Sequence, residues 1–435
     1  MPPYVRHNRC RSTILAMLVA GLLLVVGSRV VAGEPSAELR RTVTQHVSEL
    51  SSSLRSERAR AEQALLELGP QILELLPLPD ETPDQATRIA VRQLRVKLER
   101  IAAEQSVQPS RVSLRGRLPI SDIAARIQEQ TGNTLSVERL SAVSRERQID
   151  VDFDQTPFWK AMIVVGASAQ LTWEAAAESA VIDLRDIEED AGQRRVAAGA
   201  FLVAVEPITT QRGTLRASLQ LQAEPRLWPL FVRIADADFS AGIDEQSLSL
   251  FNPLAVTELP MTSRGPARFN VLFRAPEGPV TAISFHGRAT VHLAAAPTEV
   301  RFTELKADRA VYLRHGGVSV TLKQSKVATN PDQTRDLTVR LSVAYDTGGP
   351  EFESHRTWIY HNEVRLETSD GIRTPADSSF DTTRQMDGGV ELEYRFRNLT
   401  AAELQACELV YVAPTLLIDV PVEFAFDECP VTSDE

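Results

Sequence analysis

The sequence has few of the residues and motifs that identify known reaction chemistry. Only three of its 435 residues are cysteine, and no two of them form a C-x-x-C pair. It also lacks a G-x-S-x-G nucleophile elbow, an H-E-x-x-H zinc motif, a Walker loop and a G-x-G-x-x-G dinucleotide loop. We therefore predict no enzymatic activity and no catalytic, cofactor-binding or metal-binding residues. An enzyme of unfamiliar type stays open, because loops can build a site that no linear motif reveals.

Basic charge is also in short supply. The chain carries 47 Lys and Arg against 58 Asp and Glu, a formal net charge of −11. Residues 1–32 hold four Arg and no acidic residue, so the chain without them has 43 basic residues and a net charge of about −15. An acidic protein repels nucleic-acid phosphates and anionic lipid. We predict no nucleic-acid binding.

Residues 1–32 have the pattern of an export signal. Arg6, Arg9 and Arg11 precede an apolar run, Ile14–Val26, which suits a signal peptide and is short for a membrane span. Cleavage after Ala32 is favoured over a retained anchor, because Ser28 and Arg29 interrupt the run. We predict an exported protein of the periplasm or cell envelope, with no membrane span in the mature chain.

Residues 34–106 are predicted to be helical. Leu39, Val43, Val47 and Leu50 follow a helical spacing, Gly69-Pro70 stops a second helix, and a last helix is predicted to start at Thr82-Pro83. The stretch 56–70, SERARAEQALLELGP, resembles one unit of a HEAT-type helical repeat. One unit cannot stack into a solenoid, so we predict a helical lead-in that packs on another part of the chain.

Residues 110–187 form the region with the clearest periodicity. The pattern predicts a helix from Pro119 to Thr131, ended by Gly132, and an alternating strand over Ile149–Phe153. A second helix is predicted after Thr156-Pro157. With the flanking strands, the predicted order is β-α-β-β-α-β-β.

This order resembles the short N-terminal domain shared by secretins and TonB-dependent transducers. The matching stretches are Val112–Leu114, Leu118–Ile120, Gln130–Asn133, Asp154–Pro157 and Leu171–Glu174. The resemblance implies a periplasmic module that makes protein–protein contacts. Transport, secretion and TonB coupling are not carried over, because no outer-membrane barrel or secretin pore follows. A filler domain without a partner is the alternative.

The remainder of the chain is predicted to be β-rich. After the acidic linker 187–193, apolar and polar residues alternate in short runs such as Phe201/Val203/Val205 and Leu337/Val339/Leu341. We predict two antiparallel β-sandwiches, at 196–300 and 301–430, with one larger two-sheet domain as the alternative. The fold class is thus α+β multidomain. Pro421 indicates that the closing strand lies at an edge or bulge.

Cys407 and Cys429 remain after export, and their pairing is left open. In an oxidising compartment they could form a disulfide if the chain turns near Pro414 and again before Cys429. Two unrelated thiols are the alternative.

Candidate metal ligands do not reach the spacing that a site needs. His286 and His292 share a strand face, as do His355 and His361, but six residues along a strand span ~20 Å. We interpret them as solvated strand histidines. Asp236/Asp238 and the stretch Asn330–Asp336 are interpreted as polar turns, and Asp150, Asp152 and Asp154 as the wet face of a strand.

Trp228, Trp358 and Tyr360 are the candidates for carbohydrate stacking. Trp358 and Tyr360 are predicted to share one side of a strand, although core packing is the commoner fate of such a pair. The principal functional hypothesis is therefore a non-enzymatic scaffold of the cell envelope that contacts other envelope proteins. The alternative is a β-sandwich protein that binds carbohydrate or another ligand.

Overall fold

The computed structural model describes most of the chain after the predicted export signal. The predicted signal at 1–32 and the predicted helix start at Thr82-Pro83 both lie outside the described residues. The described ranges are 36–77, 84–175, 180–187, 192–244, 246–261, 265–303, 305, 310–315, 317–345, 358–377, 379–386 and 388–433.

The N-terminal helices enclose a small core of their own. The Ser36 hydroxyl accepts a hydrogen bond from the Leu39 N–H, and the Asp84 carboxylate accepts one from the Thr87 N–H, so both flanking helices are capped. Val43, Leu65, Ile72, Leu94 and Leu98 are among the buried residues that pack together. The elements are α1 (Ala37–Glu49), α2 (Arg55–Leu68), a 3₁₀ helix (Pro70–Leu75) and α3 (Gln85–Ser106).

The next region has two small sheets and its own core. Ile120, Ile123, Ala124 and Ile127 are buried on one helix face, and Gly132 ends that helix with a left-handed φ of 71°. Pro119, predicted as the first helical residue, lies at the N-cap. The elements are β1 (Arg111–Pro119), α4 (Ile120–Thr131), β2 (Thr134–Ser136), α5 (Ala142–Arg145), β3 (Gln148–Pro157), α6 (Phe158–Ala169), β4 (Leu171–Ala175) and β5 (Val181–Asp186).

These strands pair as β1-β3 and as β2-β5-β4. We call residues 110–187 the module.

The rest of the described chain is mainly strand, so the structure is mixed α+β with several sheets, as predicted at that level. The strands are β6 (Arg194–Ala198), β7 (Phe201–Val205), β8 (Ile208–Gln211), β9 (Thr214–Ala223), β10 (Trp228–Ala235), β11 (Phe239–Ile243), β12 (Gln246–Ser247), β13 (Val256–Pro260), β14 (Ala267–Arg274), β15 (Ala282–Phe302), β16 (Val311–His315), β17 (Val318–Thr329), β18 (Arg335–Tyr345), β19 (Val364–Thr368), β20 (Arg373–Pro375), β21 (Asp381–Met386), β22 (Gly389–Leu399) and β23 (Cys407–Ser433). A short helix, α7 (Ala401–Ala406), precedes the last strand.

Two hydrophobic cores divide this β-rich part. The first gathers residues of β7, β9, β14 and the first half of β15, with Phe285 packed against Phe239, Phe273 and Phe424. The second gathers residues of β17, β18, β22 and the first third of β23. We call the β-rich part of the chain that builds these cores, from β6 to β23, the platform.

One long strand pair crosses both cores. β15 has 21 residues and β23 has 27, and they pair antiparallel from Ala282 opposite Pro430 to Phe302 opposite Leu409. Val422, Phe424 and Phe426, from the second half of β23, therefore pack in the first core. We call this pair the long ribbon; it runs across the boundary predicted at residue 300.

Pro421 lies in this ribbon opposite Thr290. Between residues 413 and 430, β23 pairs with β15 and with no other strand of the described chain. Pro421 therefore lies on an edge strand, as predicted. Within the described ranges, no helix is long and apolar enough to cross a membrane.

Candidate functional site

A buried polar network joins the module to the platform. The Glu224 carboxylate has no exposed side-chain surface and accepts hydrogen bonds from the Ser110 N–H at 3.0 Å and from Asn133 Nδ2 at 3.3 Å. Arg226 Nε donates to the same carboxylate at 2.6 Å. Glu224 and Arg226 lie in the turn between β9 and β10, Ser110 at the start of the module, and Asn133 between α4 and β2. We call these four residues the junction network.

Arg226 extends the junction network to helix α3. Its Nη1 donates to the Ser106 carbonyl at 2.6 Å and its Nη2 to the Gln108 carbonyl, while its backbone N–H donates to Asn133 Oδ1 at 3.0 Å. A buried carboxylate is costly unless its charge and lone pairs are matched. Here an arginine and two further donors match Glu224, and they hold three parts of the chain in one arrangement.

Three aromatic and apolar side chains of the module and platform reinforce the same interface. Trp159 of the module is fully buried, and its indole N–H donates to the Ala200 carbonyl in the turn between β6 and β7 at 3.2 Å. Leu202 of the platform belongs to the module's core. The Arg195 guanidinium lies 4.4 Å from the centre of the Trp173 ring. The module is thus packed firmly on the platform.

The module's two-stranded sheet displays a row of opposite charges. Asp150, Asp152 and Asp154 are exposed along β3, as the sequence pattern predicted. Arg117 and Arg115 of β1 lie opposite Asp150 and Asp152, and Arg115 Nε is 2.7 Å from Asp152 Oδ1. Asp152 raises the pKa of Arg115, mainly through this hydrogen bond. We call the β1–β3 pair the module ribbon.

A cleft of about 630 Å³ lies between α3, the β16–β17 hairpin and β23. Its apolar wall includes Val96, Ala103 and Ile418, and its charged groups include Glu99, Arg314 and Asp419. Leu416, at its rim, has a φ of 54°, an uncommon conformation for a bulky residue. The volume lies in the range of small-molecule sites, which occur preferentially where domains meet.

His292 lies beside this cleft, and its surroundings correct the prediction of a solvated side chain. It is buried, its Nδ1 is 2.7 Å from Asp419 Oδ1, and its ring stacks on Phe231 at 4.6 Å between centres. Phe231 of the neighbouring strand β10 covers the ring, which strand parity alone does not reveal. His286, six residues earlier, is exposed as predicted, whereas His355 and the His361 side chain lie outside the described residues.

The surface predicted for carbohydrate stacking, Trp358 and Tyr360, does not lie on a strand. Residues Trp358–His361 are a 3₁₀ helix, so the prediction of a strand there is wrong. With three residues per turn, positions 358 and 360 do not share a face. Tyr360 instead stacks on Phe380 at 5.4 Å beside the second core, and Trp228 is a partly buried residue against the same core. The Trp358 side chain lies outside the described residues.

Of the two alternatives left open for Cys407 and Cys429, the structure shows the unpaired one, because both are free, buried thiols. No hairpin turns at Pro414, which pairs with Pro297 inside the continuous strand β23. The two cysteines therefore lie near opposite ends of one strand and in different cores. Burial raises the pKa of each thiol.

The stretch Asn330–Asp336 is held by its own hydrogen bonds. Asp332 accepts from the Thr334 N–H and hydroxyl, and Asp336 accepts from Asn330 Nδ2; these bonds lower the pKa of both carboxyls. Asp236 and Asp238 lie in a 3₁₀ helix, where burial raises the pKa of Asp236. In the part of the chain that the structure covers, no three His, Cys, Asp or Glu residues are grouped to hold a metal ion.

A charged surface network lies on the long ribbon and its neighbour β19. Arg365 is only 3% exposed and bonds Glu299 at 2.6 Å, Glu363 at 2.9 Å and Glu367 at 3.0 Å. Arg301 contacts Glu299 as well, at 2.5 Å. The hydrogen bonds from Arg365 and then Arg301 hold the pKa of Glu299 below its usual range. These matched charges stabilise the ribbon's surface.

The comparisons with known proteins add little to this geometry. No family model and no curated protein matches the chain. Among solved structures, the conserved domain protein from Bacillus anthracis is similar over 54% of this chain and 89% of its own, at 10% identity and a TM-score of 0.16. A likeness that weak supports no statement about fold or role.

Proposed function

We propose that this chain is an exported cell-envelope protein that acts as a non-enzymatic scaffold and presents its module to another envelope protein. The proposal includes the secretin/TonB-like character of the module and the helical lead-in, and the division of the platform into two sandwiches. The junction network is the observation that supports it best, since it fixes the module against the platform.

A fixed module favours binding. Association costs free energy for every segment that becomes ordered at the interface, and a preorganised surface avoids much of that cost. Hydrogen bonds among Glu224, Asn133 and Arg226 hold the module in place. A module joined only by a flexible linker would lack such bonds. One face of the module ribbon lies in solvent, with its charged residues exposed.

The proposal is tested by partner recovery from the envelope of the native cell. The full chain, a chain lacking 111–186, Glu224→Ala and the exposed control Glu277→Gln are compared by cross-linking and quantitative mass spectrometry. We expect a partner that the full chain and Glu277→Gln retain, that Glu224→Ala recovers less well, and that the deletion loses. Equal recovery by the deletion would contradict the proposal.

Export is tested separately. We expect the mature protein to begin after Ala32, in line with the charged start and the apolar run of residues 1–32. Sequencing the N-terminus of the protein isolated from its native cell gives the answer. A chain that keeps Met1 and remains in the cytoplasmic fraction would contradict the proposed location.

The second candidate function is ligand binding, and the cleft between α3 and β23 is the observation that favours it. Apolar and charged residues share its wall, which suits an amphipathic small molecule. Native mass spectrometry of the purified full chain would detect such a ligand. Val96→Trp should fill the cleft and remove the added mass, whereas the control Ile89→Trp, exposed on the same helix outside the cleft, should keep it.

A further inference from the structure

The module ribbon has two outer edges. β1 and β3 pair with each other and, in the part of the chain that the structure describes, with no third strand. An edge strand carries backbone N–H and C=O groups that can pair with another chain. The two edges differ in whether their backbone groups are already hydrogen-bonded.

The edge of β1 is occupied by a side chain of α4. The Ser113 N–H donates to Gln130 Oε1 at 2.8 Å, and Gln130 Nε2 donates to the Ser113 carbonyl at 3.0 Å. The carboxamide therefore makes the two bonds that a neighbouring strand would make at this point. A strand arriving at β1 would have to displace it.

The edge of β3 is open between Ile149 and Asp154. Every second residue of an antiparallel strand points its N–H and C=O away from the partner strand. Within the described chain, these six residues make no backbone hydrogen bond outside the β1–β3 ladder. At Gln155 the regular ladder is interrupted: its N–H donates to Ser113 Oγ and its carbonyl accepts from Arg111, so both groups are bonded on the β1 side. Six residues give an edge of ~20 Å.

Charge selects the strand that this edge can accept. Asp150, Asp152 and Asp154 are exposed at alternate positions of β3. Like charges directly opposite each other on paired strands are destabilising, whereas opposite charges stabilise. A second copy of β3 would bring three more carboxylates against these three. Arg117 and Arg115 of β1 lie beside Asp150 and Asp152 on the inner side. An extended segment with Lys or Arg at alternate positions would match the aspartates from the outer side.

We propose that β3 receives a basic, extended segment of a partner protein as an added strand. The mode is β-strand addition: the backbone of the segment bonds the open edge, and its alternate basic side chains pair with the three aspartates. This inference rests on the proposed function, because it names the surface and the partner chemistry of the same module.

The test uses the full chain and a fluorescein-labelled eight-residue peptide with Lys at alternate positions and Val between them. Binding is measured by fluorescence anisotropy at low salt. The triple variant D150N/D152N/D154N removes the acidic row. The control triple D122N/E129Q/E138Q makes the same charge change at exposed positions elsewhere on the module. A third arm uses the peptide with N-methyl groups at alternate residues, which keeps its charge and removes its strand hydrogen bonds.

We expect the acidic-row variant and the N-methylated peptide each to weaken binding at least tenfold, and the control triple to stay within twofold. Amide exchange should slow over 149–154 when the unmodified peptide is bound. Absence of binding overturns the inference, as does equal binding of the N-methylated peptide or an equal loss in the control triple. If D150N/D152N/D154N still recovers the envelope partner that the 111–186 deletion loses, the β3 edge is wrong while the proposed function stands.

Discussion

The two antiparallel ribbons of this molecule share a motif and have opposite environments. The long ribbon, β15–β23, carries the fully buried Phe285 and Val291, each at 0% exposure, and contributes to both platform cores. The module ribbon, β1–β3, buries one face on the module core and leaves the other, with Arg115 and Asp152, in solvent. Strand pairing alone therefore does not decide a ribbon's role.

What decides it is the neighbourhood of each ribbon. The long ribbon has a further strand along one side over much of its length, with β10 and β11 along β15 and β19 along the start of β23. The module ribbon keeps an open edge and a charged face. The first arrangement favours stability and the second favours contact with another chain.

The largest effect is expected from shortening the long ribbon. A chain that ends at Leu417 loses the residues of β23 that pack in the first core, including Val422, Phe424 and Phe426. We expect the first core to lose its cooperative unfolding transition and to become susceptible to limited proteolysis. A chain that lacks only residues 434–435 is the control. A truncated chain that melts like the control would mean that the long ribbon does not complete this core.

Phe285→Ala should cost about 3–5 kcal/mol in the free energy of unfolding, because it removes a fully buried ring that contacts three others. The matched control is Phe251→Ala, since Phe251 is 50% exposed. Its change should stay within about 0.5 kcal/mol. Chemical denaturation of both variants gives the two values; similar values would erase the distinction between core and surface.

Gly287→Ala should destabilise the long ribbon by about 1–3 kcal/mol, because the new methyl group overpacks the core. A Cβ at this position would lie 2.6 Å from two ring carbons of Phe239 and 2.9 Å from a ring carbon of Phe424. Thermal and chemical unfolding measure the loss. A variant as stable as the original chain would show that these rings can move aside.

Acid should weaken the surface of the long ribbon through Glu299. Its pKa is lowered in the folded chain, so its stabilising contribution is present above the unfolded value of about 4.3 and is lost as the pH falls through the folded pKa. Because solvent reaches Glu299, the contribution is on the order of 1 kcal/mol. The stability difference between the original chain and Glu299→Gln should therefore be constant near pH 7 and vanish in acid. A difference that persists at pH 2 would contradict this assignment.

The smallest effect is expected on the module ribbon. Arg115→Ala removes the ion pair with Asp152, whose two side chains are 76% and 69% exposed. We expect no measurable change in the midpoint of thermal unfolding. A clear loss of stability would show that the charged row holds the module together and is not simply displayed.

Local periodicity predicted much of the fold. The buried positions of α4 and the alternation of β3 follow from spacing that the sequence shows directly. Pairing across long separations did not follow from it. The strand β23 runs straight through Pro414, and the short segment at Trp358–His361 forms a 3₁₀ helix although its residues suit a strand. Tertiary contacts decide such cases.

The candidate site was hidden for the same reason. Glu224, Asn133 and Arg226 are ordinary turn or helix-end residues in the sequence, and their burial depends on three segments that meet only in the folded chain. Asn133, which follows the helix-ending Gly132, offered the one local signal of a special position. The exposed acids of β3 were predictable, whereas the closure of the β1 edge by Gln130 was not.

The position of β23 also bears on how the polypeptide matures. Its final residues insert beside a strand that was synthesised more than a hundred residues earlier, with Pro430 opposite Ala282. Contacts so distant in sequence form slowly, because the intervening chain must first be confined. During synthesis the first core would therefore stay incomplete until the end of β23 has been made, and a prematurely terminated chain would expose the unfilled core to proteases.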